Sequence, residues 1–253
     1  MFAEERQRRI LTQLRLDGRV AVLTLAAQYG VSEHTIRRDL NSLAGRGHLH
    51  KTHGGAVALD TAHLDWNGRV QSLPAAKEAI GAAAATLVQP GATVILDASS
   101  TTVALARHLR VRPLTVITNS LEIAAVFGAD PGVSLIVTGG VWNASARALR
   151  GAAAQEMVRH SRADWAFLGA CGLEVRAGVT VTDADDAALK RAMAQSATQV
   201  AVLADHSKRG QVVAHWVLGV EALTVLVTDQ PWPALTALGV DVRTEPMTPA
   251  PSE

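Results

Sequence analysis

Two groups of side chains in this 253-residue sequence have the types and spacing to do chemistry, and both suit phosphate. The first group lies in polar loops. Asp97-Ala98-Ser99-Ser100-Thr101-Thr102 follows one apolar run and opens an amphipathic one. Thr118-Asn119-Ser120 repeats that arrangement, Gly139-Gly140 follows a third apolar run, and Asp205-His206-Ser207-Lys208 follows a later one. Hydroxyls beside the free N–H groups of a helix N-terminus make a phosphate receptor. Ser99, Ser100, Thr101 and Thr102 are the candidates for that role. Lys208 is the candidate cation beside them, and Asp97, Asn119 and Asp205 are candidates to hold sugar hydroxyls. A Ser/Thr run also serves as a plain N-cap and first turn. Several polar loops at successive strand ends favour the ligand reading, because the strands of a parallel sheet share one ligand-binding edge.

The second group is basic. Residues 1–58 hold nine Lys/Arg against five Asp/Glu, whereas residues 59–253 hold fifteen against eighteen. A basic end on a mildly acidic body points to a polyanion partner for that end, a solvated charged surface being the plain alternative. Ser32-Glu33-His34-Thr35-Ile36-Arg37-Arg38 opens a short helix whose apolar face is Ile36, Leu40 and Leu43. Such a helix enters a major groove about 12 Å wide with its N-terminal residues on base edges. His34, Thr35 and Arg38 are therefore expected to read bases. Arg37, Lys51 and His53 are expected to contact phosphates, which position rather than specify. Ser32 caps the helix and Gly54 tips the following turn, and both are counted with the interface.

The elements that must hold these residues follow from periodicity. Helical spacing runs over residues 4–16, over 23–29 up to Gly30, and over 33–44 behind the N-cap Ser32. Residues 49–57 read as a hairpin turning at glycines. Together they describe a winged helix-turn-helix over residues 1–58. Residues 59–75 lose periodicity, contain Asn67-Gly68 and Pro74, and read as a linker with room for some helix. From there the pattern alternates. Strands are expected at 93–97, 114–118, 133–138, 165–170, 200–205 and 224–228, and helices at 79–88, 101–109, 121–127, 152–160 and 185–197. The strands are continuous runs of Val, Ile, Leu and Ala, which implies burial on both faces in a parallel sheet. The fold class is α/β, with a second domain over 76–245 and a disordered tail over 246–253.

Other chemistry is excluded or weak. Cys171 is the single cysteine, so no intrachain disulfide or Cys-based zinc site exists. No metal motif, P-loop or dinucleotide fingerprint is present, and no cofactor is expected. Nothing resembles a signal peptide or the roughly 20-residue apolar run of a membrane span, so a cytoplasmic protein without membrane contact is expected. His206 and His215 stand isolated. Trp142, Trp165, Trp216 and Trp232 are expected to anchor a core or interface.

These residues carry a resemblance. Val31-Ser32-Glu33-His34-Thr35-Ile36-Arg37-Arg38-Asp39-Leu40, followed by His53-Gly54-Gly55-Ala56, resembles the signature of the DeoR family of bacterial sugar-catabolism repressors. One departure is Lys51, where that family often has arginine. Downstream, "LDASSTT", "VITNS", "VTGG", "FLGACGL", "ALKRAM" and "LADHSK" follow in the order of the family's effector domain, so the resemblance covers the chain except its tail. It implies a sensor similar in fold to ribose-5-phosphate isomerase, with the Ser-Ser-Thr-Thr loop taking a phosphorylated sugar. By the same likeness Lys190 and Lys208 become ligand candidates. The expected partners are double-stranded operator DNA, the phosphorylated sugar, and a second copy in a homodimer or homotetramer. The competing expectation is an isomerase fused to a DNA-binding domain. Where that enzyme family carries Asp-Gly-Ala-Asp, this chain has Leu168-Gly169-Ala170-Cys171, and Leu168 moves no proton. Catalysis is therefore not expected.

Overall fold

A computed structural model describes residues 2–17, 19–45, 48–58 and 64–244. The chain divides into two compact units, Met1–Asp60 and Thr61–Glu253.

The first unit runs α1 (Ala3–Asp17), β1 (Arg19–Ala21), α2 (Val22–Tyr29), α3 (Glu33–Gly45), β2 (Leu49–Thr52) and β3 (Gly55–Ala58). Gly30 closes α2 at φ +63°, a left-handed conformation that costs glycine little. Ser32 Oγ accepts from the Thr35 amide at 3.2 Å and caps α3. Ile10 and Leu14 of α1, Leu25 of α2, and Ile36, Leu40 and Leu43 of α3 form the core. The expected hairpin is β2–β3, and β1 adds to it in the antiparallel order β1-β3-β2. Three residues, Arg19–Ala21, are too few for a periodic signal, so β1 was not legible. Gly55 is required where β3 crosses β1: a Cβ there would lie 1.9 Å from Val20 O.

One polar interaction crosses this core. Arg6 Nε donates to Asp39 Oδ2 at 2.5 Å and Gln7 Nε2 to Asp39 Oδ1 at 3.0 Å, with Arg6 and Asp39 both buried. Asp39 of the Arg-Arg-Asp-Leu motif therefore fixes α1 against α3.

The second unit begins with α4 (Trp66–Gln71), inside the stretch expected to be a partly helical linker, and α5 (Pro74–Ala85), which overlaps the helix expected at 79–88 but starts earlier. It continues through β4 (Thr93–Leu96), α6 (Ser100–His108), β5 (Leu114–Thr118), α7 (Leu121–Phe127) and β6 (Val133–Val137). A hairpin of β7 (Val141–Asn143) and β8 (Ala148–Arg150) precedes α8 (Ala152–Arg159) and β9 (Ala163–Gly169). Next come β10 (Gly172–Glu174), β11 (Gly178–Val181), α9 (Ala184–Gln195) and β12 (Ala197–Leu203). The unit closes with β13 (His215–Leu218), β14 (Val225–Thr228), α10 (Pro233–Thr236) and β15 (Asp241–Thr244). The expected tail lies outside the described residues.

All six expected strands join one parallel sheet of seven, in the order β15-β14-β12-β9-β4-β5-β6. Val94 and Leu96 of β4 pack on one face with Ile80, Val103 and Phe127, while Ile95 packs on the other with Val158, Leu189 and Met193. Helices thus cover both faces, which is why the strands read as unbroken apolar runs. From the central β4 the chain winds outward to β5 and β6, then returns to β9 and winds the other way. β4 and β9 are therefore the switch point of the sheet, where a crevice opens beyond the strand ends.

Asp39→Ala leaves Arg6 charged and buried without its partner. The expected loss is about 3–5 kcal/mol in the stability of the first unit, read as a lowered thermal transition. A loss below about 1 kcal/mol, the range of exposed pairs, would contradict the clamp.

Candidate functional site

The candidate recognition surface of the first unit is the solvent face of α3. Ser32, His34, Arg37 and Arg38 are exposed and Thr35 is half-buried, while Ile36, Asp39, Leu40 and Leu43 are inward. Thr35 Oγ1 lies 2.9 Å from Ser32 Oγ, so the first turn is capped twice over. Arg37 pairs along the helix with Glu33 at 3.2 Å, whereas Arg38 has no ion-pair partner among the described residues. Lys51, His53 and Gly54 are exposed on the β2–β3 wing. An unpaired guanidinium on an exposed helix face suits a guanine edge, and cations on a wing suit phosphates.

The second site is the crevice at the switch point. Asp97 ends β4, is almost fully buried, and has both oxygens committed. Oδ2 accepts from the Gly169 amide at 2.7 Å and from Lys190 Nζ, which also donates to Gly169 O at 3.1 Å. Oδ1 accepts from the Ser99 amide at 3.1 Å, and Thr102 Oγ1 lies 2.8 Å from it. Asp97 therefore joins β4, β9, α6 and α9, and its geometry is that of a positioning residue with no oxygen left for a sugar. At Gly169 a Cβ would meet the Ser99 side chain at 2.5 Å, so only glycine lets the two loops close on each other.

Ser99 and Thr102 form a capping box at the start of α6. Ser100 and Thr101 line the cleft, and their amides stand in the first turn of α6, where no intrahelical acceptor is available. These two residues are the candidates for an anion receptor. Lys190, Asp205 and Lys208 also line the cleft. Burial lowers the Lys190 pKa, but Asp186, Asp97 and its hydrogen bond to Asp97 outweigh that and hold the ammonium charged. Asp205 is buried and accepts from the Ser207 amide at 3.0 Å. Asn119 is not brought into the cleft. It is buried, and Nδ2 donates to Leu149 O at 3.1 Å, tying β5 to the β7–β8 hairpin. His206, isolated in the sequence, meets Asp229, with Nδ1 2.5 Å from Oδ2. Burial raises the Asp229 pKa, and the side-chain bond and charge of His206 more than reverse it, leaving the carboxyl below its ordinary value.

Sequence reasoning missed three cationic cleft residues: Arg69 of α4, Lys77 of α5 and Arg150 of β8. Their only local signal is a cation at an element that joins the switch point in three dimensions. Lys77 is buried and donates to the carbonyls of Arg69 and Ser72. Burial holds its pKa down at about 8, against the pull of Asp205 and with smaller downward pushes from Lys208 and Arg69. Arg150 pairs with Asp183 at 3.0 Å. Cys171 lines the same cleft, while Leu168 is buried in the core. Among the described residues no cluster of side chains is arranged to hold a metal ion, and no helix is long and apolar enough to cross a membrane.

Comparison with known proteins falls on these two units. A family described as a DeoR-like helix-turn-helix domain matches residues 6–62, and one described as the DeoR C terminal sensor domain matches residues 73–230. The chain is 36% identical to the HTH-type transcriptional regulator GolR of Listeria innocua, over 90% of this chain and 91% of that protein. It is 35% identical to the HTH-type transcriptional repressor GlcR of Bacillus subtilis, over 91% of this chain and 90% of that one. Among solved structures, ribose 5-phosphate isomerase A from Methanocaldococcus jannaschii overlays 53% of each chain with a TM-score of 0.37 and 18% identity.

Two expectations follow. Arg38→Ala costs about 1–3 kcal/mol on the preferred DNA sequence and flattens sequence preference, whereas Lys51→Ala weakens all sequences alike and lowers the salt slope by about 1. Equal loss on every sequence for Arg38→Ala would reassign it to a phosphate. Lys77 gives a pH signature. Its folded pKa lies below the unfolded value of 10.5, so between about pH 8 and 10.5 the unfolded chain binds the extra proton and stability rises with pH. The stability difference between wild type and Lys77→Gln should shift by about 2–3 kcal/mol across that window. A flat difference would mean that Lys77 is not desolvated.

Proposed function

Since the chain belongs to the DeoR family of transcriptional regulators, we propose that it represses sugar or related carbon-source catabolism genes and is controlled by a phosphorylated sugar. The first unit grips double-stranded operator DNA through His34, Thr35 and Arg38 in the major groove, with Ser32, Arg37, Lys51, His53 and Gly54 holding the register. Ser100 and Thr101 take the phosphate, with Lys208 beside them. Asp205 faces the sugar, and Ser99, Thr102, Asp97, Lys190 and Asn119 hold the cleft in shape. The observation that carries this reading is the open first turn of α6, set at the switch point of the sheet and facing a cleft lined by cations.

The protein acts in the cytoplasm as a homodimer or homotetramer, since one winged unit offers limited contact area and paired half-sites are the usual solution. A pairing edge of the right kind exists. β6 is an edge strand with no charged residue and with Ile136 and Val137 exposed, whereas the opposite edge, β15, carries Asp241 and Arg243. Binding without turnover is the better account of the cleft. The end of β9 and the turn after it offer Leu168 to the core and Cys171 to the cleft in place of two carboxylates, and Lys190 is neutralised by Asp97.

The test is a thermal-shift screen of ribose 5-phosphate, fructose 6-phosphate, glucose 6-phosphate and inorganic phosphate. A ligand at one hundred times its Kd adds about 2.7 kcal/mol to the stability of the native state. At least one sugar phosphate should raise the transition of the second unit, and Ser100→Glu should abolish the rise while leaving DNA affinity intact. No shift with any of them would remove the sensing claim, and turnover of ribose 5-phosphate would remove the claim of a pure regulator.

A further inference from the structure

We propose that Arg69 and Arg150 are effector ligands, and that α4, which carries Arg69, is the wall that the effector displaces. The inference rests on the phosphorylated-sugar reading of the same cleft.

Three observations converge. First, the cleft is nearly shut. The enclosed space is about 40 Å³, room for a few waters, where sites for small ligands span roughly 300–1,000 Å³. A sugar phosphate enters only if part of the wall moves. Second, both guanidinium groups line the cleft with an Nε–H that is enclosed and has no acceptor. A buried donor left unmade is costly, and for a charged group more so, so its place in a ligand cleft calls for an incoming acceptor. Third, both groups are already aimed. Arg69 lies over the Trp66 ring at 5.6 Å, and its Nη2 donates to Ala146 O at 3.1 Å. Arg150 is held by Asp183, and the neighbouring Leu149 is bonded in both directions by Asn119. The ligand pays little ordering entropy to meet such donors.

The movable wall is α4. It is a six-residue helix anchored by the buried Trp66 side chain and otherwise fastened by few hydrogen bonds to other elements: the Trp66 amide to Ser145 O at 3.1 Å, Arg69 to Ala146 O, and Lys77 to the carbonyls of Arg69 and Ser72. It is also the first helix after the winged unit in the sequence. The ligand oxygen takes the free Nε–H of Arg69, and because the present space is too small for a sugar phosphate its bulk pushes this wall outward and loosens α4 from the β7–β8 hairpin. Cleft occupancy is thereby read at the start of the second unit.

The experiment is isothermal titration of wild type, Arg69→Gln, Arg69→Lys and Arg150→Gln with ribose 5-phosphate, fructose 6-phosphate, glucose 6-phosphate and inorganic phosphate, joined to amide exchange over residues 64–73. For the compound that binds wild type, each Gln variant should raise Kd about tenfold or more. Arg69→Lys should fall between, since it keeps the charge and loses the planar fork. The Trp66 amide should exchange faster in the saturated wild type. Wild-type Kd values in both Gln variants, or unchanged exchange at Trp66 under saturation, would overturn the inference and leave the sensing function standing. If none of the four compounds binds wild type, the phosphorylated-sugar reading falls, and this inference with it.

Discussion

The buried carboxylate of Asp97 is the constraint on which the sensor unit depends. A charge taken out of water at the centre of a sheet must be met on every lone pair. Here the partners come from three different elements: the Gly169 amide of β9, Lys190 of α9, and Ser99 and Thr102 around the start of α6. Satisfying one group therefore fixes the strand order, the approach of two loops and the aim of a helix terminus together. The winged unit uses the same device, with Asp39 between Arg6 and Gln7. In both units an acidic residue inside the most distinctive motif holds the frame.

That arrangement also separates binding from catalysis. Asp97 has the position for chemistry at the switch point, but its oxygens are spent and its counter-charge is Lys190. The groups left to face the cleft are mostly donors: α6 amides, hydroxyls, guanidinium groups and ammonium groups. Donors recognise an anion, whereas moving a proton from carbon needs a base within reach. Asp205, the carboxylate nearest in role, caps the turn at Ser207 and lies close enough to Lys77 to influence its charge. The cationic lining of the cleft suits recognition of an anion.

The sheet was legible because each strand is buried on both faces and reads as an unbroken apolar run. The recognition helix was legible because Ser32, Ile36, Leu40 and Leu43 keep helical spacing behind a cap. The short antiparallel strands β10, β11 and β13 were not, since three or four residues with Gly172 and Gly178 among them carry no period. Residues 66–71 looked like linker because Asn67 and Gly68 weaken helix propensity, and tertiary bonds to Ser145 and Ala146 override it. Asp97 and Asn119 read as ligand candidates while their side chains bond to the frame, because a polar residue after a strand looks the same whether it serves the ligand or the frame. Arg69, Lys77 and Arg150 were missed because only the winding order of the sheet brings them to one crevice.

The central claim is that one phosphorylated ligand at the switch point changes how the winged unit holds DNA. Fluorescence anisotropy of a labelled duplex drawn from the region upstream of the gene measures this directly, with and without the sugar phosphate that stabilises the second unit. The account predicts a roughly 5–150-fold change in DNA affinity, the usual size of an allosteric coupling, with DNA changing ligand affinity by the same factor in the same direction. A saturating ligand that leaves DNA affinity unchanged would contradict it.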